Sequence, residues 1–148
     1  MAKKDVVILL VEDDPAHRLL ISKVLEENHV RNSVYETEDG QDGLDYVYGV
    51  GKYANRQSYP LPDLILLDIK MPRMDGFEVL EKLKSDDTTK HIPIIMLTTS
   101  SRDEEVARGY KNGANAYVTK PVDFREFVEK LKNLKIFWVL TTEITSTQ

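Results

Sequence analysis

A chain of 148 residues, 41% hydrophobic and 30% charged, has the size and balance of one globular domain with a core of its own. Its formal net charge of -5 argues against sequence-independent binding to nucleic acid, which needs a basic face to displace counterions, and the lack of cysteine excludes disulfides and thiolate metal sites. No apolar run reaches the roughly 20 residues of a membrane helix, and charge comes too early for a secretory signal, so a cytoplasmic protein without membrane contact is expected.

In chain order, residues 6–11 (VVILLV) form a β-branched apolar run suited to a strand buried on both faces. Asp14 as N-cap and Pro15 as first helical residue predict a helix start, with Leu19, Leu20, Val24 and Leu25 on its inner side. Residues 33–37 predict a second strand, and residues 40–48 a helix carrying Leu44, Val47 and Tyr48 at helical spacing. The segment GVGKYANRQSYPLP, rich in turn residues, reads as a long loop. A third strand is expected over 63–67. Asp75-Gly76-Phe77-Glu78 then has capping-box spacing ahead of a helix with Phe77, Val79, Leu80 and Leu83 inside. A fourth strand follows at 93–98, then a helix from the capping box Ser101-Arg102-Asp103-Glu104 to near Gly113. A fifth strand at 116–119 and a helix capped by Asp123 complete the pattern.

Five strands alternating with five helices, without hairpin signals, predict parallel pairing through right-handed crossovers. The expected fold is α/β: a doubly wound five-stranded parallel sheet with five helices, flavodoxin-like, in strand order 2-1-3-4-5. Ligands of such sheets bind at the carboxyl ends of the strands. Glu12 and Asp13 follow the first strand, Asp68 the third, Thr98 and Thr99 the fourth, and Lys120-Pro121 the fifth. Three gathered carboxylates would repel one another, so a hard divalent ion such as Mg²⁺ is expected among them. Lys120 adds a fixed positive charge and Thr98 a hydroxyl. Two cations and a hydroxyl around one carboxylate suit transfer of an anionic group onto it, which makes Asp68 a candidate nucleophile forming an acyl phosphate. Taken singly, Asp14 is only a cap, Thr98 an ordinary strand residue and Lys120 a surface lysine. Their joint placement after four separate strands carries the reading.

The segments VEDDPAHR, LILLDIKMPRMDG, IIMLTTSS and GANAYVTKP resemble those of the receiver domains of two-component response regulators, over about residues 6–134. The resemblance implies that Asp68 accepts a phosphoryl group from a phosphohistidine on a sensor histidine kinase. It implies Mg²⁺ held by Asp13, Asp68 and the backbone carbonyl of Lys70, with Glu12 acting through water. Thr98, Thr99 and Lys120 would serve the phosphoryl group, Lys120-Pro121 would be a cis peptide, and Tyr117 would turn inward when Thr98 moves, remodelling the face of the fourth helix, fifth strand and fifth helix. Such a domain is not an enzyme toward other substrates, though it should speed its own phosphorylation and dephosphorylation. Lys70 and Ser100 occupy positions that tune phosphoryl lifetime.

Two other readings compete. A haloacid-dehalogenase-like phosphatase also forms an aspartyl phosphate, but needs an acid where Lys70 stands, two residues past Asp68. A phosphorylation-independent binding module is the second. Gly49-Val50-Gly51-Lys52-Tyr53-Ala54 fits a dinucleotide fingerprint but follows a helix rather than a strand. His17, His29 and His91 lack metal-ligand spacing and read as surface or helix residues. With residues 1–134 as the receiver, residues 135–148 form an apolar tail, and a stand-alone regulator is expected, working by protein contact or by relay to a phosphotransfer protein. The long loop and the tail resemble the small regulators encoded beside phytochrome-like histidine kinases. Phe137 and Trp138 in the tail suggest a homodimer contact, together with the switching face.

Overall fold

The computed structural model describes residues 6–27, 33–99, 108 and 110–131. Its elements are β1 (Val7–Val11), α1 (Pro15–Glu27), β2 (Ser33–Thr37), α2 (Gly40–Tyr48), a 3₁₀ turn (Gly51–Tyr53), β3 (Leu64–Asp68), α3 (Gly76–Ser85), β4 (Ile94–Thr98), β5 (Ala116–Thr119) and α4 (Phe124–Leu131). All four strand pairings are parallel and the order is β2-β1-β3-β4-β5, as the alternation of strands and helices predicts. Among the described residues there are four helices. Arg108, Tyr110 and Lys111 are helical as well, and Gly113, at φ 106, ends that stretch where the fourth predicted helix should stop. Its capping box, Ser100, the tail with Phe137 and Trp138, and His29 lie outside the described residues.

Strand alternation divides the core into two layers. Leu9, Val11, Ile65, Leu67, Ile94, Met96 and Tyr117 pack toward α2 and α3, whereas Ile8, Leu10, Leu64, Leu66, Ile95, Leu97 and Val118 pack toward α1 and α4. The central strands are buried on both faces, which is why they read as unbroken apolar runs. Helix α3 follows its pattern fully: Asp75 accepts the Glu78 N–H, and Phe77, Val79, Leu80 and Leu83 are all buried.

Helix α1 corrects the sequence reading. Leu19 and Leu20 are 67% and 54% exposed, while Ile21 and Leu25 are buried and Val24 is intermediate. The inward stripe runs Arg18, Ile21, Leu25, at steps of three and four. Arg18 holds an inner position because its guanidinium donates to the Glu12 carbonyl at 2.7 Å. A polar residue on the buried stripe hides the true face from a hydrophobicity count. On α2 a similar exchange occurs, with Tyr46 buried and Tyr48 42% exposed.

The long loop is also better built than its composition suggests. Gly49, at φ 64, ends α2 in the left-handed conformation that glycine tolerates. Arg56 then reaches back to the Tyr46 and Val47 carbonyls, a cation on a helix C-terminus. Tyr46, Tyr53 and Tyr59 pack ring against ring at 5.0 to 6.0 Å, and the Tyr53 hydroxyl donates to Asp42. Gly49 therefore closes a helix rather than opening one, which removes the dinucleotide fingerprint.

The revised face of α1 predicts that Leu25→Ala costs about 2–4 kcal/mol in urea unfolding, and Leu19→Ser less than about 0.5 kcal/mol. Equal losses at the two positions would contradict the assignment.

Candidate functional site

Glu12 leaves β1 fully buried and held on several sides. Its N–H donates to the Thr37 carbonyl at 3.2 Å, its carbonyl receives Arg18, and its Oε1 accepts the Asp14 N–H at 3.2 Å. Asp14 then caps α1, accepting the Ala16 N–H at 2.8 Å. That bond, foremost, holds the Asp14 carboxyl below its usual range, with burial opposing it and the His17 N–H assisting.

Asp68 is the last residue of β3, paired with Leu97 of β4, and is 4% exposed. The start of α3 packs directly on this strand end. The Gly76 N–H donates to the Ile69 carbonyl at 2.7 Å, and a Cβ at Gly76 would lie 2.2 Å from the Asp68 carbonyl oxygen. Position 76 must therefore be glycine for reasons of space. Asp75-Gly76 shows in the sequence only as a cap, and the one local signal of this second role is a glycine directly after an N-cap aspartate.

Lys120 follows β5. Its N–H donates to the Thr98 carbonyl at 2.7 Å, and the bond to Pro121 is cis, as expected. Its side chain runs back across the strand ends, with Nζ 2.9 Å from Glu12 Oε2 and 3.0 Å from Asp68 Oδ1. Three strand ends thus meet at one ammonium. A cleft of about 180 Å³ is lined by Glu12, Asp13, Asp68, Lys70, Thr98, Thr99 and Lys120, all singled out from sequence, and by Asp14, Ile69 and His17 as well. The sequence marks His17 only as a surface or helix residue, yet its Nδ1 is 3.1 Å from Lys120 Nζ. Tyr117 does not line the cleft: it is buried in the core layer that also holds the α2 and α3 side chains, its ring 5.1 Å from that of Tyr110.

Charge is unbalanced here. Burial first, then the neighbouring Glu12 carboxylate, pushes the Asp68 carboxyl up to about 7, although Lys120 pulls the other way. Burial works against the Lys120 ammonium, but its bonds to Glu12 and Asp68 outweigh it, and its pKa is raised. Glu12, Asp13 and Asp68 each bring a carboxylate oxygen within 4.8 Å of the others. An all-oxygen, excess-negative donor set with room for water fits a hard divalent cation.

Residues 8–132 match the response regulator receiver domain family, and the chain belongs to it. Within that family it is related to phytochrome response regulators. The bacteriophytochrome response regulator AtBRR is 41% identical, with a TM-score of 0.83 over 91% of this chain and 96% of that one. Response regulator Rcp1 of Synechocystis sp. is 33% identical across 93% of this chain and 92% of its own length. Its Mn(2+)-bound structure has a TM-score of 0.73 over 92% of this chain and 96% of that one. The probable methanogenesis regulatory protein FilR2 of Methanothrix harundinacea is also 33% identical, over 93% of this chain and 86% of its own. Phosphorylation of an aspartate is the general mechanism of this family, and its members bind a divalent metal and interact with histidine kinases. Among the described residues no helix is long and apolar enough to cross a membrane.

The raised Asp68 pKa has a consequence for stability. Between the ordinary value of 3.8 and about 7 the folded chain holds a proton at this site that the unfolded chain releases, so this site's contribution to stability falls as pH rises through that range. Thermal melts of the metal-free protein should place Asp68→Asn about 3–6 °C above wild type at pH 8, a gap that closes toward pH 4. An equal or lower midpoint for the variant at pH 8 would refute the charge crowding.

Proposed function

We propose that the chain is a phosphorylation-controlled switch in which Asp68 accepts a phosphoryl group from a sensor histidine kinase of the phytochrome-related kind. The observation that carries this reading is the Lys120 ammonium 3.0 Å from Asp68 Oδ1, in a cleft that also gathers the carboxylates of Glu12, Asp13 and Asp14 and the hydroxyls of Thr98 and Thr99. A carboxylate oxygen of Asp68 attacks phosphorus, the P–N bond to the donor histidine breaks, and the electron pair leaves with the imidazole. Asp68 then carries an acyl phosphate. Once esterified, it no longer offers Lys120 a full negative charge, and the ammonium passes to a phosphoryl oxygen. Thr98, with Thr99 beside it, supplies donors to the same oxygens. Bound Mg²⁺ would neutralise the phosphoryl charge, held by Asp13, Asp68 and the Lys70 carbonyl, with Glu12 acting through water. Water attack on the acyl phosphate later releases inorganic phosphate and restores the carboxylate. The Lys70 side chain, exposed at the mouth, would set how readily that water enters.

The output follows from sheet alternation. Ile94, Met96 and Tyr117 belong to the layer beneath α2 and α3, and the same alternation puts Thr98 on that face. Movement of Thr98 toward the phosphoryl group would vacate space beside Tyr117, whose ring packs on the half-exposed Tyr110. Surface around β5 and α4 then changes shape, a shift between two populations rather than a new fold. Homodimerisation through this face, with Phe137 and Trp138 in the tail, is the output we favour. A dehalogenase-like phosphatase is disfavoured, since a lysine stands where that chemistry needs an acid.

For the kinase, the revised α1 face supplies a docking surface. An apolar groove of about 250 Å³, lined by Leu20, Ile21, Val24, Pro121 and Val122, shares His17, Thr99 and Lys120 with the acidic cleft. A helix bearing the phosphohistidine, laid in this groove, would bring its imidazole to Asp68. Leu20→Asp should therefore slow transfer from a phosphorylated kinase domain about tenfold while leaving phosphorylation by acetyl phosphate unchanged. Equal effects on both donors would exclude the groove as a docking surface.

Intact-mass analysis after incubation with acetyl phosphate tests the site itself. Wild type should gain one phosphoryl group only with Mg²⁺, and Asp68→Asn none. A gain that survives in Asp68→Asn would assign the acceptor elsewhere.

A further inference from the structure

Lys120 has three N–H donors and no acceptor, and three partners surround it: Glu12 Oε2 at 2.9 Å, Asp68 Oδ1 at 3.0 Å and His17 Nδ1 at 3.1 Å. A lysine ammonium can only donate, so Nδ1 is the acceptor and the ring proton sits on Nε2. That nitrogen faces Asp14 Oδ2 at 3.5 Å. Asp14 is the residue whose other oxygen caps α1 and accepts the N–H groups of Ala16 and His17. The cap, the first turn of α1 and the imidazole thus form one bracket beside Lys120. His17 is also the partner nearest solvent: its side chain is 38% exposed, against 8% for Lys120 and 1% for Glu12.

We infer that His17 is a positioning residue for phosphoryl transfer, its Nδ1 accepting a hydrogen bond from the Lys120 ammonium and so holding it aimed at the phosphoryl oxygens. The inference rests on the reading of Asp68 as phosphoacceptor. Its physical content is a difference among the three partners. A lysine side chain carries considerable rotamer freedom, and its head must be fixed for the reaction to find it in place. Asp68 fixes it only until its carboxylate becomes an acyl phosphate. Glu12 is shared with the cation site. His17 takes no part in bond making, so its hold on Lys120 is the same before and after transfer. The residue therefore sets where the ammonium stands while the other charges in the cleft change.

The test compares wild type, His17→Ala and His17→Asn. In asparagine, Oδ1 occupies the place of the imidazole Nδ1, so the acceptor is kept without the ring. With acetyl phosphate and saturating Mg²⁺, His17→Ala should be phosphorylated about tenfold more slowly than wild type, the low end for a hydrogen bond from a charged donor to a partly exposed acceptor, and His17→Asn should recover most of the rate. Nitrogen-15 spectra of the histidines in the wild-type protein, taken at one alkaline pH, should show His17 protonated on Nε2. A wild-type rate in His17→Ala, no recovery in His17→Asn, or a proton on Nδ1 would each overturn the inference. Failure of wild type itself to take phosphate would instead strike the reading of Asp68, and the role of His17 would fall with it.

Discussion

One ammonium against three carboxylates is the constraint on which the rest of this domain depends. Lys120 touches Glu12 and Asp68 directly, and Asp13 brings its oxygen within 4.8 Å of theirs. Ion pairs taken out of water repay their desolvation only with good geometry and balanced charge, and here three carboxylates crowd together around one buried ammonium. The result is visible at Asp68, whose carboxyl is pushed up to about 7. A divalent cation held by these carboxylates would complete the balance, and a phosphoryl group on Asp68 would add negative charge back. Each arrival reverses the sign of what the cleft lacks, which is how a single carboxylate can be both reactive and the trigger of a change in shape.

The fold exists to bring those groups together and to hold most of them still. Parallel strands align their carboxyl ends on one edge, so residues far apart in the chain, such as Glu12 and Lys120, meet within hydrogen-bonding distance. The α2 and α3 side is rigidly made. Gly76 lets α3 begin against the Asp68 carbonyl, and Arg56 with its tyrosines fastens the loop after α2. With that side so fastened, the segment around β5 is where the proposed movement of Thr98 would be expressed. Tyr117, buried in the same layer and in ring contact with the half-exposed Tyr110, connects the interior to that surface.

Legibility in the sequence followed the range of the interaction involved. The five strands and Asp68 could be located because each central strand is apolar on both faces and stops abruptly at a polar residue. Helix α3 was legible since its cap and its buried stripe agree. The inner face of α1 was not, because the partly buried Arg18 turns inward to serve the Glu12 carbonyl, and a hydrophobic count then turns the helix toward Leu19 and Leu20. His17 was invisible for a different reason. Its partner lies 103 residues away, and nothing local to the first turn of a helix announces a contact with the end of the last strand. Gly76 falls between these cases, its spatial role hidden behind a capping motif that already seemed to account for it.

The central claim is that the phosphoryl group resides on Asp68 as an acyl phosphate. Its most direct test is borohydride trapping of the phosphorylated protein followed by peptide mapping, since hydride reduces an aspartyl phosphate to homoserine and leaves phosphoserine, phosphothreonine and phosphohistidine unreduced. The account predicts homoserine at position 68, formed only when Mg²⁺ and a phosphodonor were both present. Homoserine at position 13 or 14, or phosphorylated protein that yields no homoserine, would contradict it.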